Sequence, residues 1–257
     1  MTIALYVIVA AIGLAIGSFL NVVIWRVPRN LSIVKPPSAC PNCATELSVL
    51  DNIPVISWVA LKGRCRYCGF KIPVRYPIVE ITTAVLFVGV LVRLGRVWAV
   101  PAYCVLMAGL FALAWIDLEH HRLPLKLVWT VLVLVGALLI LASGVEDDWH
   151  SLWVGAACSV AWAFVFAAIH FSSPRLLGFG DVRLAFVLGL GLGWISVATA
   201  VAGFFVSPFI GLVVTVVLIM TKRVQKNAEL PFGVYLAAGT AVAFYFGPIL
   251  LKPFQAS

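Results

Sequence analysis

Residues 184–220 read LAFVLGLGLGWISVATAVAGFFVSPFIGLVVTVVLIM, a block without a charged side chain from one end to the other. An α-helix rises about 1.5 Å per residue, so one helix of this length would far exceed the roughly 30 Å of hydrocarbon in a bilayer. We therefore expect two transmembrane helices here, with a turn between Gly191 and Pro208. Two crossings also keep the basic run TKRVQK, residues 221–226, on the same side as the other basic loops.

The rest of the sequence repeats this apolar pattern. Hydrophobic residues make up 63% of the 257 positions and charged residues 11%, far from the composition of a soluble domain. The further runs that are long enough to cross a bilayer are residues 3–25, 77–92, 98–116, 124–142, 151–170 and 232–251. The sequence therefore predicts an all-α polytopic membrane protein, with about eight transmembrane helices and one large loop at residues 26–76.

The positive charges lie mainly in one set of loops. Of the 18 Lys and Arg residues, all but Arg93, Arg96 and Lys252 fall on one side of the predicted helices. These fifteen are Arg26, Arg29, Lys35, Lys62, Arg64, Arg66, Lys71, Arg75, Arg122, Lys126, Arg175, Arg183, Lys222, Arg223 and Lys226. Because cytoplasmic loops are enriched in Lys and Arg, this side should be cytoplasmic and both termini should face outward. The net charge of +8 is then a topology signal, supported by anionic lipid headgroups, and predicts no nucleic-acid binding.

The first apolar run has no basic segment before it and no small-residue cleavage site after it, so we expect a retained helix rather than a removed signal peptide. It contains Gly13, Gly17, Ser18 and Asn21. Small residues at this spacing let two helices approach closely, and polar residues can hydrogen-bond inside a bundle. Packing between helices is therefore favoured over a direct functional role for these four residues.

The predicted cytoplasmic loop contains two C-x2-C pairs. Cys40 and Cys43 form the first, and Cys65 and Cys68 form the second after an interval of 21 residues, 44–64. Two such pairs can surround one tetrahedral zinc ion, and four sulfur ligands leave no position for water, so the site would be structural. Structural disulfides are rare in a reducing cytoplasm, although a redox role remains an alternative. Zinc would fold a loop that is too poor in apolar residues to build its own core.

Two acids are predicted at the same depth of the membrane. Asp117 ends the third predicted span and Asp181 begins the sixth, both on the cytoplasmic side. If these helices pack together, the carboxylates can share a proton and a water, with one acid ionised and the other protonated, as in aspartic proteases. Gly178 and Gly180 would let the chain approach a substrate backbone closely beside Asp181.

Simpler hypotheses explain the same acids. Asp117 could be a helix-end acid in water, and Asp181 could cap a helix N-terminus and complement its dipole. A proton or ion relay is a further alternative. The other ionisable residues near these positions are interpreted as side chains at the membrane surface: Glu119, His120, His121 and His170.

Seven sequence blocks carry a resemblance to a known family. They are GSFLNVVIWRVP (17–28), the two cysteine pairs, DNIPVISW (51–58) between those pairs, RYPIVEI (75–81), DLEHHRLP (117–124), GFGDVRL (178–184) and PFGVYLAAG (231–239). In their kind and order the chain resembles the type IV prepilin peptidases, which are polytopic aspartic proteases of the GxGD type.

The resemblance implies that Asp117 and Asp181 are the catalytic aspartates of a multi-pass protein of the bacterial inner membrane, with its active site on the cytoplasmic side. The substrate would be a type IV prepilin or pseudopilin precursor, cut between its basic leader and the following apolar helix. Family members with the cysteine loop often also methylate the new N-terminus with S-adenosyl-L-methionine. This second activity is therefore implied as well, but the sequence identifies no residue that binds the methyl donor.

The sequence departs from the usual family pattern at three positions. Arg183 stands where lysine is common, which keeps the charge, and Val234 stands where proline is frequent. Leu125 replaces a frequent acid or amide and bears on the loop after Asp117. No departure touches the two aspartates.

The resemblance divides the chain into a first transmembrane helix at 1–25, a cytoplasmic zinc-binding loop at 26–76 and a seven-helix protease core at 77–257. Two other function classes compete with this hypothesis. A proton- or ion-coupled transporter would need polar groups deep in several spans, or broken helices at the midplane. A non-enzymatic assembly protein, held to its partners by the zinc loop, would not need two acids at equal depth.

Overall fold

The computed structural model describes residues 2–95, 98–173, 177–222 and 231–255, with side chains up to residue 247 in the last range. Four members of the predicted basic pattern lie outside the described residues: Arg96, Arg175, Arg223 and Lys226. The side chain of Lys252 lies outside them as well.

The described part of the chain is helical and contains no strand, only two isolated bridges, Ala39–Glu46 and Arg64–Lys71. The helices are α1 (Ile3–Arg26), α2 (Ile56–Ala60), α3 (Arg75–Leu94), α4 (Val100–His120), α5 (Leu125–Glu146), α6 (Trp149–Ser172), α7 (Phe179–Ile195), α8 (Val197–Met220) and α9 (Phe232–Gln255). The prediction of an all-α fold is confirmed.

The charge-free block at 184–220 forms two helices, as predicted, and the break is the single residue Ser196. Ser196 has an extended backbone, with φ −175° and ψ 156°, and separates α7 from α8. Its hydroxyl accepts a hydrogen bond from the Thr199 amide at 3.0 Å. This contact satisfies one of the unpaired N–H groups at the start of α8, which is why a serine can end one helix and start the next.

The helices identify a multi-pass membrane protein. Within the described residues, six segments are long and apolar enough to cross a bilayer: Ile3–Arg29, Arg75–Leu94, Val100–His120, Leu125–Glu146, Trp149–Ser172 and Val197–Met220. α7 has 17 residues, and the described side chains of α9 cover the shorter apolar segment Phe232–Gly247. The count of eight crossings therefore stays a prediction.

The first of two compact units is Met1–Gly95. In it α1 packs on α3 through glycines: a Cβ placed on Gly13 or Gly17 would lie 2.6 Å from the Cα of Ala84 or Glu80, respectively. Such a separation is available only without a side chain, so the predicted packing role of these glycines is confirmed. The Asn21 side-chain amide adds a hydrogen bond to the Tyr76 carbonyl at 3.2 Å.

The second compact unit is Arg96–Ser257, so α3 belongs to the first unit by its contacts. In the second unit α7 is enclosed by other helices, and Leu184, Leu188 and Leu192 are fully buried. Lipid is as apolar as leucine, so such a helix is held by close packing and hydrogen bonds rather than by exclusion from water. The predicted roles of residues 1–25, 26–76 and 77–257 as first helix, zinc-binding loop and protease core stay a prediction.

Glycines and polar contacts lock α7 against its neighbours. A Cβ on Gly189 would lie 2.5 Å from the Cys158 carbonyl oxygen of α6, and the Ser159 hydroxyl donates to the Phe186 carbonyl at 2.8 Å. On another side, the Trp194 indole donates to the Ser143 hydroxyl of α5 at 3.0 Å. These contacts fix the position of α7, and with it the acid in its first turn.

Candidate active site

Asp117 lies in the last turn of α4. The helix ends at His120, and the next residue, His121, has a left-handed backbone, with φ 51°, and donates its amide to the Asp117 carbonyl at 2.8 Å. The Asp117 side chain is only 5% exposed. The alternative of a helix-end acid in water is therefore wrong, because this carboxyl group is enclosed by protein.

One carboxyl oxygen of Asp117, Oδ2, is buried and has no hydrogen-bond partner among the described residues. The backbone of α9 lies directly against it: a Cβ on Gly233 would be 2.8 Å from this oxygen. An ionised carboxylate with an unpaired buried oxygen is costly. The position therefore suits a carboxyl group that carries a proton or binds a water molecule.

Asp181 lies in the first turn of α7 and is 6% exposed. Its Oδ2 accepts a hydrogen bond from the Gly178 amide at 3.1 Å. The capping contact that the sequence suggested is thus present. Capping does not exclude a role in proton transfer, because the contact engages one oxygen of a carboxyl group that is almost fully enclosed.

The structure brings the two acids into one site through Leu123. A Cβ on Gly180, the neighbour of Asp181, would lie 3.2 Å from the Leu123 Cβ. A Cβ on Gly233, which adjoins Asp117, would lie 3.0 Å from the Leu123 Cδ2. The charge of Asp117 also acts at Asp181. Two carboxylates in such a site cannot both ionise without a repulsion that a shared proton relieves.

The glycines of the site have roles that the sequence analysis missed or interpreted differently. Gly180 makes room for Leu123, and a Cβ on Gly178 would be 3.3 Å from the Asp181 carboxylate. These contacts lie within the protein, whereas the sequence suggested an approach to substrate. The sequence analysis assigned no role to Gly233, although this residue lies in the block PFGVYLAAG. A glycine at the start of an apolar helix could have indicated close packing against another part of the protein.

His170 contacts the turn before Asp181. Its Nδ1 lies 2.8 Å from the Leu177 carbonyl oxygen, and its ring centroid lies 5.3 Å from that of Phe179. It therefore has a specific contact, where the sequence suggested only an interfacial position. Glu119 accepts a hydrogen bond from the Trp115 indole at 2.8 Å, and His120 lies 4.0 Å from Glu119. These residues do not form a metal site with the two aspartates.

The four cysteines of the loop form a cluster, as their spacing predicted. The sulfur atoms of Cys40, Cys43, Cys65 and Cys68 all lie within 4.8 Å of one another. The separation of Cys40 Sγ and Cys68 Sγ is 3.7 Å, against about 2.0 Å in a disulfide. Sulfurs bound at about 2.3 Å to one zinc would be about 3.8 Å apart in a regular tetrahedron. The cluster can therefore hold a metal ion.

Each cysteine pair lies in a tight turn that backbone hydrogen bonds close. The Cys40 amide donates to the Thr45 carbonyl at 3.0 Å, and the Cys65 amide donates to the Phe70 carbonyl at 2.8 Å. The second turn uses Gly69, with φ 71°, a backbone conformation that favours glycine. Hydrogen bonds from Thr45 lower the pKa of Cys43 to about 6, and the Cys68 amide lowers the pKa of Cys65. Both shifts favour the thiolate, the form that binds metal. Burial and the neighbouring Cys65 and Cys43 sulfurs raise the pKa of Cys40 to about 11, so without a metal ion the cluster keeps this thiol protonated.

Comparison with known proteins matches each compact unit separately. A profile described as the bacterial peptidase A24 N-terminal domain matches residues 11–94. A profile described as the type IV leader peptidase family matches residues 104–216, which include Asp117 and Asp181. No solved structure matches the chain.

Curated relatives extend the similarity over most of the chain. A protein of Aeromonas hydrophila is 32% identical over 93% of this chain and 90% of its own length. One of Bacillus subtilis is 32% identical over 93% of this chain and 94% of its own length. One of Myxococcus xanthus is 41% identical over 71% of this chain and 55% of its own length. All three are named prepilin leader peptidase/N-methyltransferase.

Proposed function

Because the chain belongs to the type IV leader peptidase family and is therefore a protease, we propose that it removes the leader peptide from type IV prepilin-like precursors by an aspartic mechanism. The observation that supports this proposal is that Asp117 and Asp181, two acids from α4 and α7, are both buried and are linked through Leu123 and its contacts with Gly233 and Gly180. The relatives are named as enzymes of this kind, and nothing in the comparisons supports a transporter or a non-enzymatic assembly protein.

In the proposed mechanism the two carboxyl groups share one proton and hold a water molecule between them. The ionised group accepts a proton from the water as the water oxygen attacks the carbonyl carbon at the leader junction. The protonated group donates a hydrogen bond to the carbonyl oxygen and stabilises the charge that develops there. The partnerless Oδ2 of Asp117 supports this proposal, because a bound water or a proton would satisfy it.

The proposed place of the reaction is the cytoplasmic surface of the bacterial inner membrane. The excess of Lys and Arg in the loops on the side of both aspartates supports this orientation. The apolar segment of the precursor would lie in the bilayer while its basic leader stays in the cytoplasm. The eight long helices are proposed to cross the membrane eight times, with both termini outside.

We further propose that the four-cysteine cluster binds one zinc ion with a structural role. Zinc would cross-link the two cysteine turns and fix the loop, and it would supply no open coordination position for chemistry. The close approach of the four sulfur atoms supports this assignment. The names of the relatives support a second activity, N-methylation of the new N-terminus with S-adenosyl-L-methionine.

The test of the peptidase mechanism is the replacement of each aspartate by asparagine. Asp117→Asn and Asp181→Asn keep the size of the side chain but remove its ability to exchange a proton. Each should lower cleavage of a precursor by the purified protein by about 10²-fold or more. The double variant should be little worse than either single variant, because the two groups act as one unit.

A matched control is Asp147→Asn, the same substitution at an exposed acid that is predicted on the opposite side of the membrane. This variant should cleave at the normal rate. All variants should retain normal expression and zinc content. Substantial cleavage by purified Asp181→Asn would exclude the aspartic mechanism.

A further inference from the structure

His170, near the end of α6, lies beside the turn that leads into α7, and the proposed peptidase mechanism does not use it. Its side chain is half-buried. Its Nδ1 lies 2.8 Å from the carbonyl oxygen of Leu177, a residue that is 5% exposed. A carbonyl oxygen can only accept a hydrogen bond, so Nδ1 carries the proton in this contact, whether the ring is neutral or charged.

The contact reaches Asp181 through one peptide group. The carbonyl of Leu177 and the amide of Gly178 belong to the same peptide group, and this amide donates to the Asp181 Oδ2 at 3.1 Å. Hydrogen bonds at the two ends of a peptide group polarise it and strengthen each other. The hydrogen bond from His170 therefore makes the Gly178 amide a better donor to the carboxyl group of Asp181.

The carboxyl group of Asp181 depends on this donor. Within the described part of the chain, the hydrogen bond from the Gly178 amide is the one that this carboxyl group makes. A reacting group must be held close to its productive position, because a small displacement costs much of the rate. Whatever fixes the Leu177–Gly178 peptide group therefore also fixes the acid.

Aromatic contacts hold the imidazole ring beside the turn. The ring centroid of His170 lies 5.3 Å from that of Phe179, the first residue of α7, and 5.5 Å from that of Phe171. The Arg183 guanidinium lies over the same Phe179 ring, 4.5 Å from its centroid. Such contacts stabilise one orientation of the rings. Packing alone requires only a ring at position 170 and does not account for a donor at the Leu177 carbonyl.

We propose that His170 is a positioning residue for the peptidase reaction, and that it acts on Asp181 through the Leu177–Gly178 peptide group. This inference rests on the aspartic mechanism of the proposed function. It adds to that mechanism a residue of α6, a helix that contributes neither of the two acids.

Two substitutions separate the hydrogen bond from the packing of the ring. His170→Phe keeps a ring beside Phe179 but has no donor. His170→Asn loses the ring but places an amide nitrogen as many bonds from the backbone as Nδ1. The matched control is His150→Phe, the same change at an exposed histidine in the first turn of α6.

The first measurement is cleavage of a synthetic precursor by the purified full-length protein. His170→Phe should lower kcat about fivefold, the usual net contribution of one hydrogen bond, and leave KM unchanged. His170→Asn should recover most of this loss, and His150→Phe should cleave as the natural protein does. A normal kcat in His170→Phe would overturn the proposal, and so would an equal loss in His170→Asn, because the ring would then matter rather than the donor.

The pH profile provides a readout that a packing role would not change. A hydrogen bond to a carboxylate favours its ionised form, so a weaker bond from the Gly178 amide makes Asp181 harder to ionise. Because two close acids titrate as a pair, the profile of kcat/KM in His170→Phe should move to higher pH by roughly half a pH unit, on one limb or both. In His170→Asn it should return. A lower kcat with an unmoved profile would assign His170 a packing role and refute the proposal.

The other charged and titratable groups around this turn stay the same in these variants. α8 and the described side chains of α9 carry no charge. Those on the other helices that pack against α7 at this end are Asp117, Glu119, His120 and His121 at the end of α4, Lys126 in the first turn of α5, and Arg183 on α7 itself. A shift of the profile therefore comes from the change at position 170.

The second measurement detects the hydrogen bond without turnover. Protein labelled with ¹³C-carbonyl leucine and ¹⁵N-glycine shows selectively, by NMR, the amides of its five Leu–Gly pairs, at 94–95, 177–178, 188–189, 190–191 and 192–193. Loss of one signal in Gly178→Ala identifies the Gly178 amide. Its proton should move upfield in His170→Phe, because a weaker hydrogen bond leaves it more shielded, and should stay in place in His170→Asn.

An unchanged Gly178 signal in His170→Phe would overturn the proposal. This measurement involves no precursor, so a shifted signal in a protein that cleaves nothing would count against the proposed function and not against the link from His170 to Asp181. Melting temperatures check that the variants fold. If His170→Phe does not fold, His170→Leu, which also lacks a donor, takes its place in both measurements.

Discussion

The packing of Gly233 against Asp117 leads to a prediction whose magnitude follows from the structure. In Gly233→Ala the new Cβ would lie 2.8 Å from the Asp117 Oδ2 and 3.0 Å from the Leu123 Cδ2. An ordinary contact begins at about 3.4 Å, so the carboxyl group must move by about 0.6 Å. A misplacement of about 1 Å at a reacting group can cost about 10²-fold in rate. We therefore expect cleavage to fall by roughly tenfold or more.

The assay is cleavage of a synthetic precursor by purified protein, with kcat and KM measured separately. The loss should appear in kcat, because Asp117 is proposed to act in the chemical step rather than in holding the precursor. The matched control is Gly247→Ala in the same helix, where the new Cβ would be 3.7 Å from Thr199 and needs no adjustment. Both variants should have normal expression and zinc content. A normal kcat for Gly233→Ala would refute the placement of α9 against the acid.

Other features of the chain give three further predictions. Cys65→Ser should lower the zinc content from about one ion per chain by elemental analysis, whereas Cys104→Ser should leave it normal; full zinc in the Cys65 variant would contradict the metal site. In a cysteine-free background, a cysteine at Asp147 should react with an impermeant thiol reagent in intact cells and one at Lys222 should not; the opposite pattern would reverse the proposed topology. Asp148 caps α6 by accepting the Ser151 amide at 3.1 Å, and hydrogen bonds from Ser151 lower its pKa. Asp148→Ala should therefore lower the free energy of unfolding by about 1 kcal/mol at pH 7. A carboxyl group with a depressed folded pKa stabilises the protein above its unfolded pKa of about 3.9, and this contribution is lost as the pH falls through the folded pKa. Equal melting temperatures at pH 7 for this variant and the natural protein would contradict the cap.

The apolar segments could be identified from the sequence because the thickness of the bilayer sets the length of each apolar helix. A charge-free block at 184–220 is longer than one crossing of a bilayer, so a break was required, and Ser196 supplies it within the predicted interval. The cysteine turns were equally predictable, since a two-residue interval places both sulfurs of a pair on the same side of a tight turn. The family was recognisable from ordered motifs, and the comparisons confirm it.

The candidate site was predicted in part. The sequence predicted that Asp117 and Asp181 lie at helix ends, and the structure has them in the last turn of α4 and the first turn of α7. Burial of the Asp117 carboxyl group and its contact with Gly233 required the fold. The hydrogen bond from the Val55 amide to Glu80 also joins two segments that are distant in the chain. No spacing in the sequence relates such positions to one another.

The sequence by itself therefore determined the helical class, the break in the long apolar block, the cysteine turns and the position of the two acids at helix ends. Only the tertiary structure decided which helix faces meet, that α7 is enclosed, and that α9 adjoins Asp117. The reason lies in the solvent. In water, the apolar face of a helix turns inward, so the hydrophobic pattern reveals the buried side. In lipid both sides are apolar, and the inner face is chosen by close packing at small residues and by polar contacts, which depend on the partner helix.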